Sequence, residues 1–187
     1  MNTVTVVLLV LAAFLLGALV AYFAYRTYRE REAGRIRGHF GPEYQRLAEE
    51  RGATAAEREL AERERRAAKF HIRPLAAEDQ RRFEARWQEV QTQFVDEPKQ
   101  SLARADDLLG EVMAARGYPV KDFEQRAADL SVEHPIVVQH YHAAHDIALR
   151  HREGRTSTED LRQAMIHYRA LFEELVSGHP PHAHAAE

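Results

Sequence analysis

The chain opens with an apolar segment that constrains its fold more than any other feature. The run from Val4 to Tyr25 contains 22 residues, and Thr5 is the only polar side chain near its start. At about 1.5 Å of rise per residue, a helix of this length extends about 33 Å, enough to cross a hydrocarbon core. No basic residue precedes the run, and it ends in bulky aromatic residues instead of a small-residue cleavage site. We therefore predict a retained transmembrane anchor over residues 1–25, not a signal peptide.

An arginine cluster follows the anchor directly, within a connector predicted over residues 26–41. Its members are Arg26, Arg29, Arg31, Arg35 and Arg37. Because basic residues are retained on the cytoplasmic side of a membrane, the cluster predicts an outward N-terminus and a cytoplasmic C-terminal region. The same side chains could contact anionic headgroups of the lipid bilayer.

Small residues recur every four positions within the anchor, at Ala13, Gly17 and Ala21. On a helix this spacing places them on one face, where a second helix can approach closely. The stripe is therefore a candidate packing surface for a homodimer in the membrane.

A charged segment over residues 42–69 separates the connector from the rest of the chain. Its only large apolar residues are Tyr44, Leu47 and Leu60. Thr54 and Glu57 match a capping box and predict a helix that begins near Ala55. Since this segment has little apolar surface to bury, we predict a solvated helical spacer.

Residues 70–178 have the apolar periodicity of amphipathic helices in five segments. One stripe contains Phe83, Trp87, Val90 and Phe94, and the clearest contains Leu161, Met165, Tyr168, Phe172 and Leu175. No stretch alternates with a period of two, so the predicted fold is all-α, with a compact bundle of about five helices. The tail over residues 179–187 lacks large apolar residues and is predicted to be disordered.

Turn and cap residues predict several helix boundaries within this bundle. Gly117 is expected to end one helix in a left-handed conformation. Asp122 with Gln125 resembles a capping box, and Ser157 is a candidate N-cap of the last helix. His134, followed by a proline, is expected to open the fourth helix of the bundle.

Composition narrows the available chemistry. The absence of cysteine excludes disulfides, thiolate metal sites and cysteine nucleophiles, and a net charge of -3 argues against a nucleic-acid partner. None of the serines lies in a Gly-x-Ser-x-Gly turn, and no glycine-rich segment has the pattern of a phosphate-binding loop. We therefore predict a protein that is not an enzyme, with no catalytic residue and no cofactor.

Histidine is unusually frequent, with 11 residues. One helix face could bring His142, His145 and Asp146 together, because His145 and Asp146 follow His142 by three and four positions. With His140 and His151 nearby, part of this group could face one divalent ion. Zinc sites usually need three or four convergent ligands, and the sequence contains no His-Glu-x-x-His motif. We therefore assign no metal site, and the competing interpretation places His142 and His145 at the polar edge of a buried helix face.

Several strings carry a family resemblance. They are FGPEY at 40–44, IRPL at 72–75, FVDEP at 94–98, ARGYPV at 115–120, DFEQRAADLSVEHP at 122–135 and STEDLRQAMIHYRALFEEL at 157–175. The chain resembles an uncharacterised bacterial family, labelled hypothetical or secreted, with an N-terminal hydrophobic helix and a helical domain. The resemblance spans residues 40–175 and implies this architecture, but it implies no activity. His140 and His142 depart from the family pattern.

These features together predict a single-pass membrane protein whose helical domain is a non-enzymatic interaction or regulatory module with a protein partner. One alternative is a metal- or pH-responsive module that uses His134, His142 and His145. The other is an exported envelope protein with an extracytoplasmic domain, which the family's "secreted" label favours.

Overall fold

The computed structural model describes residues 2–119, 121–153 and 155–177. Over these ranges the chain is all-α, with eight helices and no strand, which confirms the predicted fold class. It divides into two compact units, Met1–His39 and Phe40–Glu187. The tail predicted over residues 179–187, and Gly178 before it, lie outside the described residues.

The first unit consists of helix α1, which spans Thr3–Phe40 and ends at the first residue of the second unit. Within it, Leu11–Phe40 is long and apolar enough to cross a membrane by length and composition, and its mean hydropathy over 18 residues reaches 1.4. The helix continues without a break through the arginine cluster, so the predicted connector is helical.

The second unit contains the remaining seven helices. They are α2 (Pro42–Arg51), α3 (Ala53–Ala67), α4 (Ala77–Gln93), α5 (Pro98–Arg116), α6 (Phe123–Glu133), α7 (Val138–Arg152) and α8 (Thr158–Ser177). Helix α8 packs against α4, α5 and α7, while the α2–α3 pair contacts α6 and α7.

The core of the second unit follows the predicted apolar stripes. The buried residues of α8 include Leu161, Met165, Tyr168, Phe172 and Leu175. On α4 the buried residues are Phe83, Trp87 and Val90, and the Trp87 ring stacks on Phe172 with centroids 4.7 Å apart. Burial of these side chains supplies most of the free energy that holds the helices together.

Several helix boundaries lie where the sequence predicts them. Gly117 ends α5 with a φ of 97°, and a Cβ atom there would lie 2.5 Å from the carbonyl oxygen of His71. The Asp122 carboxylate accepts a hydrogen bond of 2.8 Å from the backbone N–H of Gln125. Ser157 Oγ accepts one of 3.2 Å from the backbone N–H of Asp160, so both side-chain caps form.

Two predicted boundaries are wrong. Helix α3 begins at Ala53 after Gly52, whose φ is 84°, and Thr54 lies inside the helix instead of capping it. His134 ends α6, and α7 begins only at Val138. In the first case glycine makes the turn that a side-chain cap was expected to make. In the second, residues 135–137 form a turn between the two helices.

The prediction of a solvated spacer over residues 42–69 is also wrong, because one face of α2 and α3 is buried. The buried residues are Glu43, Leu47, Ala56, Leu60, Arg63 and Ala67. On α3 they recur at intervals of three and four, with alanine and arginine at positions where large apolar residues would normally mark a packed face. The segment therefore belongs to the packed second unit.

Candidate functional site

A fully buried carboxylate lies in the first turn of α2, at Glu43. Arg63 Nη1 donates a hydrogen bond of 2.8 Å to its Oε1, and Arg46 Nη2 donates another of 2.8 Å to the same oxygen. Its other oxygen, Oε2, accepts a bond of 3.2 Å from Gln139 Nε2 on α7. One side chain thus connects three helices of the second unit.

The charge of Glu43 depends on two opposing effects. Burial alone would raise the pKa of this carboxyl, but the hydrogen bonds and charges of Arg46 and Arg63 outweigh burial and hold the pKa below its usual value. His142 Nε2 lies 3.7 Å from Glu43 Oε2, and burial lowers the pKa of this imidazole. At neutral pH the group therefore consists of an ionised carboxylate, two guanidinium groups and a neutral imidazole.

A second set of polar contacts joins α3 to α6. Arg63 Nη1 also donates to Ser131 Oγ at 3.2 Å. Arg66 Nη2 lies 2.8 Å from Asp129 Oδ1, which also accepts a bond of 2.8 Å from Gln125 Nε2. We call the residues Glu43, Arg46, Arg63, Arg66, Asp129, Ser131 and Gln139 the buried charge network.

The buried charge network is suited to holding helices together and not to chemistry on a substrate. Both oxygens of Glu43 already accept hydrogen bonds, and its surface is fully covered. A general base needs an open path to the proton that it removes, and Glu43 has none in this arrangement. The network therefore positions α2 and α3 on α6 and α7.

An open cleft lies between α5, α6, α7 and α8 and has a volume of about 410 Å³. Asp106 Oδ2 pairs with Arg126 Nη2 at 2.9 Å, and Asp106 Oδ1 accepts a hydrogen bond of 3.1 Å from the Tyr141 hydroxyl. The rings of Phe123 and His145 stack to form one wall. Exposed Lys99 lies at the rim.

The cleft offers polar contacts beside a buried phenol. Burial raises the pKa of Tyr141, and the nearby charge of Asp106 raises it further, so this phenol stays protonated. Among the described residues that line the cleft, none is serine, threonine or cysteine. The arrangement could hold a small polar molecule.

Two of the histidines that the sequence groups together, His142 and His145, both contact the ring of Phe123, with ring centroids 5.6 Å and 3.5 Å from it, and the other contacts of the group differ. His142 contacts Glu43, His145 stacks on Phe123, and His151 Nδ1 lies 2.6 Å from Thr156 Oγ1. Asp146 is exposed. Over the described ranges, no group of three or more histidine, aspartate or glutamate side chains is arranged to hold a metal ion.

Two further histidine contacts cross from one helix to another. His134 Nδ1 lies 3.0 Å from Glu174 Oε1, between the end of α6 and α8. His140 Nδ1 on α7 lies 2.9 Å from His167 Nδ1 on α8. The sequence does not indicate the second pair, because 27 positions separate its members.

The predicted membrane-proximal and packing residues all lie on α1. The five arginines of the cluster are exposed, with Arg26 paired to Glu30 at 2.9 Å and Arg35 paired to Glu32 at 2.7 Å. The small-residue stripe of Ala13, Gly17 and Ala21 is exposed along its length. A Cβ atom added to Gly17 would meet nothing within 4 Å.

No family model, curated protein or solved structure matches the chain. The resemblance to a bacterial family with an N-terminal hydrophobic helix therefore stays a prediction.

Proposed function

We propose that the protein is a single-pass membrane protein whose second unit, a compact helical bundle, is held at the membrane surface as a non-enzymatic interaction or regulatory module. The observation that carries the proposal is the surface of α1. Phe14 is 75% exposed, Leu15 67% and Leu16 62%, with further apolar residues exposed on both sides of them. A continuous apolar surface of this kind is unfavourable in water and favourable in lipid.

The arginine cluster supports an orientation for the anchor. Basic side chains lie on the C-terminal side of the apolar segment, so the second unit would be cytoplasmic, at a bacterial inner membrane. Exposed Tyr22, Tyr25 and Tyr28 support the same boundary, because tyrosine is enriched where a membrane meets water.

The polar groups of the second unit support an interaction role over an enzymatic one. The two buried carboxylates of the described residues, Glu43 and Asp129, are paired with arginines within the buried charge network. The cleft of about 410 Å³ contains an ion pair and aromatic rings, and none of the described residues that line it is serine, threonine or cysteine. The proposed partner is another protein, and the stripe of Ala13, Gly17 and Ala21 would allow homodimers as well.

Reporter fusions test the anchor and its orientation. Alkaline phosphatase and a fluorescent protein are each fused after Arg37 and after Gly178, in separate proteins that keep the whole anchor. We expect fluorescence without phosphatase activity at both positions, and membrane retention of the uncleaved chain. A matched variant with all five arginines changed to glutamine should lose the uniform orientation. Phosphatase activity at both positions of the unchanged chain would instead support the exported envelope protein.

A pull-down tests the interaction role. The full chain and its first 39 residues are solubilised from membranes and captured in parallel, so that proteins bound only to the anchor are recognised. A protein that enriches with the full chain alone, and that can be cross-linked to the second unit, supports the proposal. The absence of any enriched protein under several detergent and salt conditions contradicts it.

A pH-responsive module is the second candidate, favoured by two contacts. His142 lies 3.7 Å from the buried Glu43, and His134 lies 3.0 Å from Glu174. Protonation of either imidazole would change the charge balance at a helix contact.

A further inference from the structure

The α2–α3 pair is packed apart from the apolar core of the second unit. Its buried apolar residues are Leu47, Ala56, Leu60 and Ala67. The continuous core cluster contains buried residues from Phe83 to Val176, and it includes none of these four. In the described part of the chain, no residue of α2 or α3 is among the partly buried apolar residues that pack against this cluster either. The pair therefore shares little apolar surface with α4 to α8.

Polar contacts fix the pair to α6 and α7 instead. They join Arg66 to Asp129 at 2.8 Å, Arg63 to Ser131 at 3.2 Å, and Glu43 to Gln139 at 3.2 Å and to His142 at 3.7 Å. The ion pair of Arg63 with Glu43, at 2.8 Å, joins α3 to α2 and does not cross this boundary. Opening of the pair as one unit would keep that ion pair and break the other contacts.

These polar contacts cost less to break than the apolar core. On opening, water replaces the lost hydrogen-bond partners and hydrates the buried charges, so each contact contributes little net stability. The pair buries two large apolar side chains, Leu47 and Leu60, whereas α8 alone buries more than twice as many. The free energy of opening the pair should therefore lie well below that of unfolding the whole second unit.

We propose that α2 and α3 form a conformational switch that opens from α6 and α7 as one unit while α4 to α8 stay folded. Opening uncovers a polar surface on α6 and α7 that includes Asp129, Ser131 and Gln139. The pair also lies in the chain between α1 and the five helices α4 to α8, so opening lengthens their connection to the proposed anchor. Only this last consequence rests on the proposed function, since the opening itself needs no membrane.

Thiol labelling of the full chain in detergent tests the opening, because the chain contains no cysteine. Ala56→Cys places a thiol on α3, and Ala164→Cys places a matched thiol on α8, where both alanines are 0% exposed. Each labelling rate is divided by the rate of the same variant in concentrated urea, which removes differences in intrinsic reactivity. Each variant is then combined with Leu171→Ala, which weakens the core of α4 to α8.

We expect the relative rate of Ala56→Cys to exceed that of Ala164→Cys by at least about 100-fold, because burying one leucine-sized side chain already changes an opening equilibrium by about 10-fold or more. Leu171→Ala should accelerate labelling of Ala164→Cys by about 30-fold or more. It should leave the labelling of Ala56→Cys unchanged, since the core that it weakens is present in both the closed and the open form.

Equal relative rates at the two positions would overturn the proposal. The same acceleration at both positions on adding Leu171→Ala would also overturn it, because α3 would then open only when the whole unit unfolds. If a variant does not fold, hydrogen exchange of the unchanged chain decides. The backbone amides of α2 and α3 should exchange together and faster than those of α5 and α8, and equal protection rejects the switch. Failure of the reporter fusions would refute the anchor without changing these rates.

Discussion

Arg63 Nη1 donates a hydrogen bond of 2.8 Å to Glu43 Oε1, and both side chains are almost completely excluded from solvent. This pair joins the first turn of α2 to the last third of α3. The same guanidinium reaches Ser131 on α6, so the pair also connects the α2–α3 segment to the rest of the second unit. A segment rich in charged residues thereby becomes part of the packed fold.

Removing one member of this pair should destabilise the second unit strongly. Glu43→Leu leaves the buried Arg63 with only the partly exposed Glu59 as a carboxylate partner, and losing one partner of a buried pair costs up to about 3–5 kcal/mol. Arg63→Leu should cost less, because Arg46 and Gln139 still bond to Glu43. Denaturant unfolding followed by circular dichroism measures these differences in the free energy of unfolding.

The double variant Glu43→Leu/Arg63→Leu separates pairing from packing. The double variant leaves no buried charge of this pair behind, so its loss of unfolding free energy should be clearly smaller than the sum of the losses in the two single variants. Glu159→Gln, in an exposed pair with Arg162, is the matched control and should cause no measurable change. Additive losses in the double variant would show that the two side chains are not coupled.

Acidification below neutral pH should destabilise the second unit through His134. Burial lowers the pKa of this imidazole, and the charge of Arg116 lowers it further, while Glu174 and Glu133 act in the opposite direction. Below the ordinary value of 6.5 the unfolded chain takes up a proton that the folded chain resists. Stability is therefore complete above pH 6.5 and is lost as the pH falls through the lowered folded value.

His134→Gln should flatten this pH dependence in part, because the pKa values of His142 and His167 are lowered as well. His71→Gln, at an exposed position, should follow the unchanged chain across the range. The measurement is the free energy of unfolding at a series of pH values between about 5 and 8. If the free energy of unfolding falls with pH as steeply in His134→Gln as in the unchanged chain, His134 is not a source of the pH dependence.

Gly117→Ala should be destabilising for two reasons. The position has a φ of 97°, which costs a non-glycine residue about 1–3 kcal/mol. The added Cβ would also lie 2.5 Å from the backbone oxygen of His71, which cannot rotate away. Gly34→Ala is the control, because its Cβ meets nothing within 4 Å, and it should leave the thermal unfolding of the second unit unchanged. A similar melting temperature for both variants would refute the prediction.

The stack of Trp87 on Phe172 should respond to side-chain volume more than to polarity. Trp87→Ala leaves a cavity in the core and should cost about 3–5 kcal/mol. Trp87→Phe keeps an aromatic ring and should cost about 1.5 kcal/mol or less, because within the described residues the indole N–H has no hydrogen-bond partner to lose. Circular dichroism follows both variants, since they lack the only tryptophan of the chain. Equal losses of stability in Trp87→Ala and Trp87→Phe would show that side-chain volume does not determine stability at this position.

The sequence was most informative where local rules apply. The stripe from Leu161 to Leu175 identified α8 and its buried face, because apolar residues at helical spacing must share one side. Gly117 and Asp122 were assigned correctly because a left-handed turn and a side-chain cap each depend on residues close in the chain. The long apolar run likewise identified the first helix from its composition alone.

The sequence correctly predicts helices within residues 42–69 and wrongly predicts that they are solvated, because charged residues on a helix usually face solvent. The stripe of Ala56, Leu60, Arg63 and Ala67 has the period of a packed face, and reading Arg63 as part of that face would have revealed it. The partner that makes burial of Arg63 favourable is 20 positions away, in another helix. No local pattern indicates such a partner.

Helix type, caps and core stripes therefore follow from residues that are neighbours along the chain, and the amino-acid order is enough to derive them. Tertiary packing decided which charges are buried and which histidines meet, as it pairs Glu43 with Arg63 and His140 with His167. The physical reason is that burying a charge or joining two imidazoles depends on the partner across a helix contact. The folded chain alone brings those partners together.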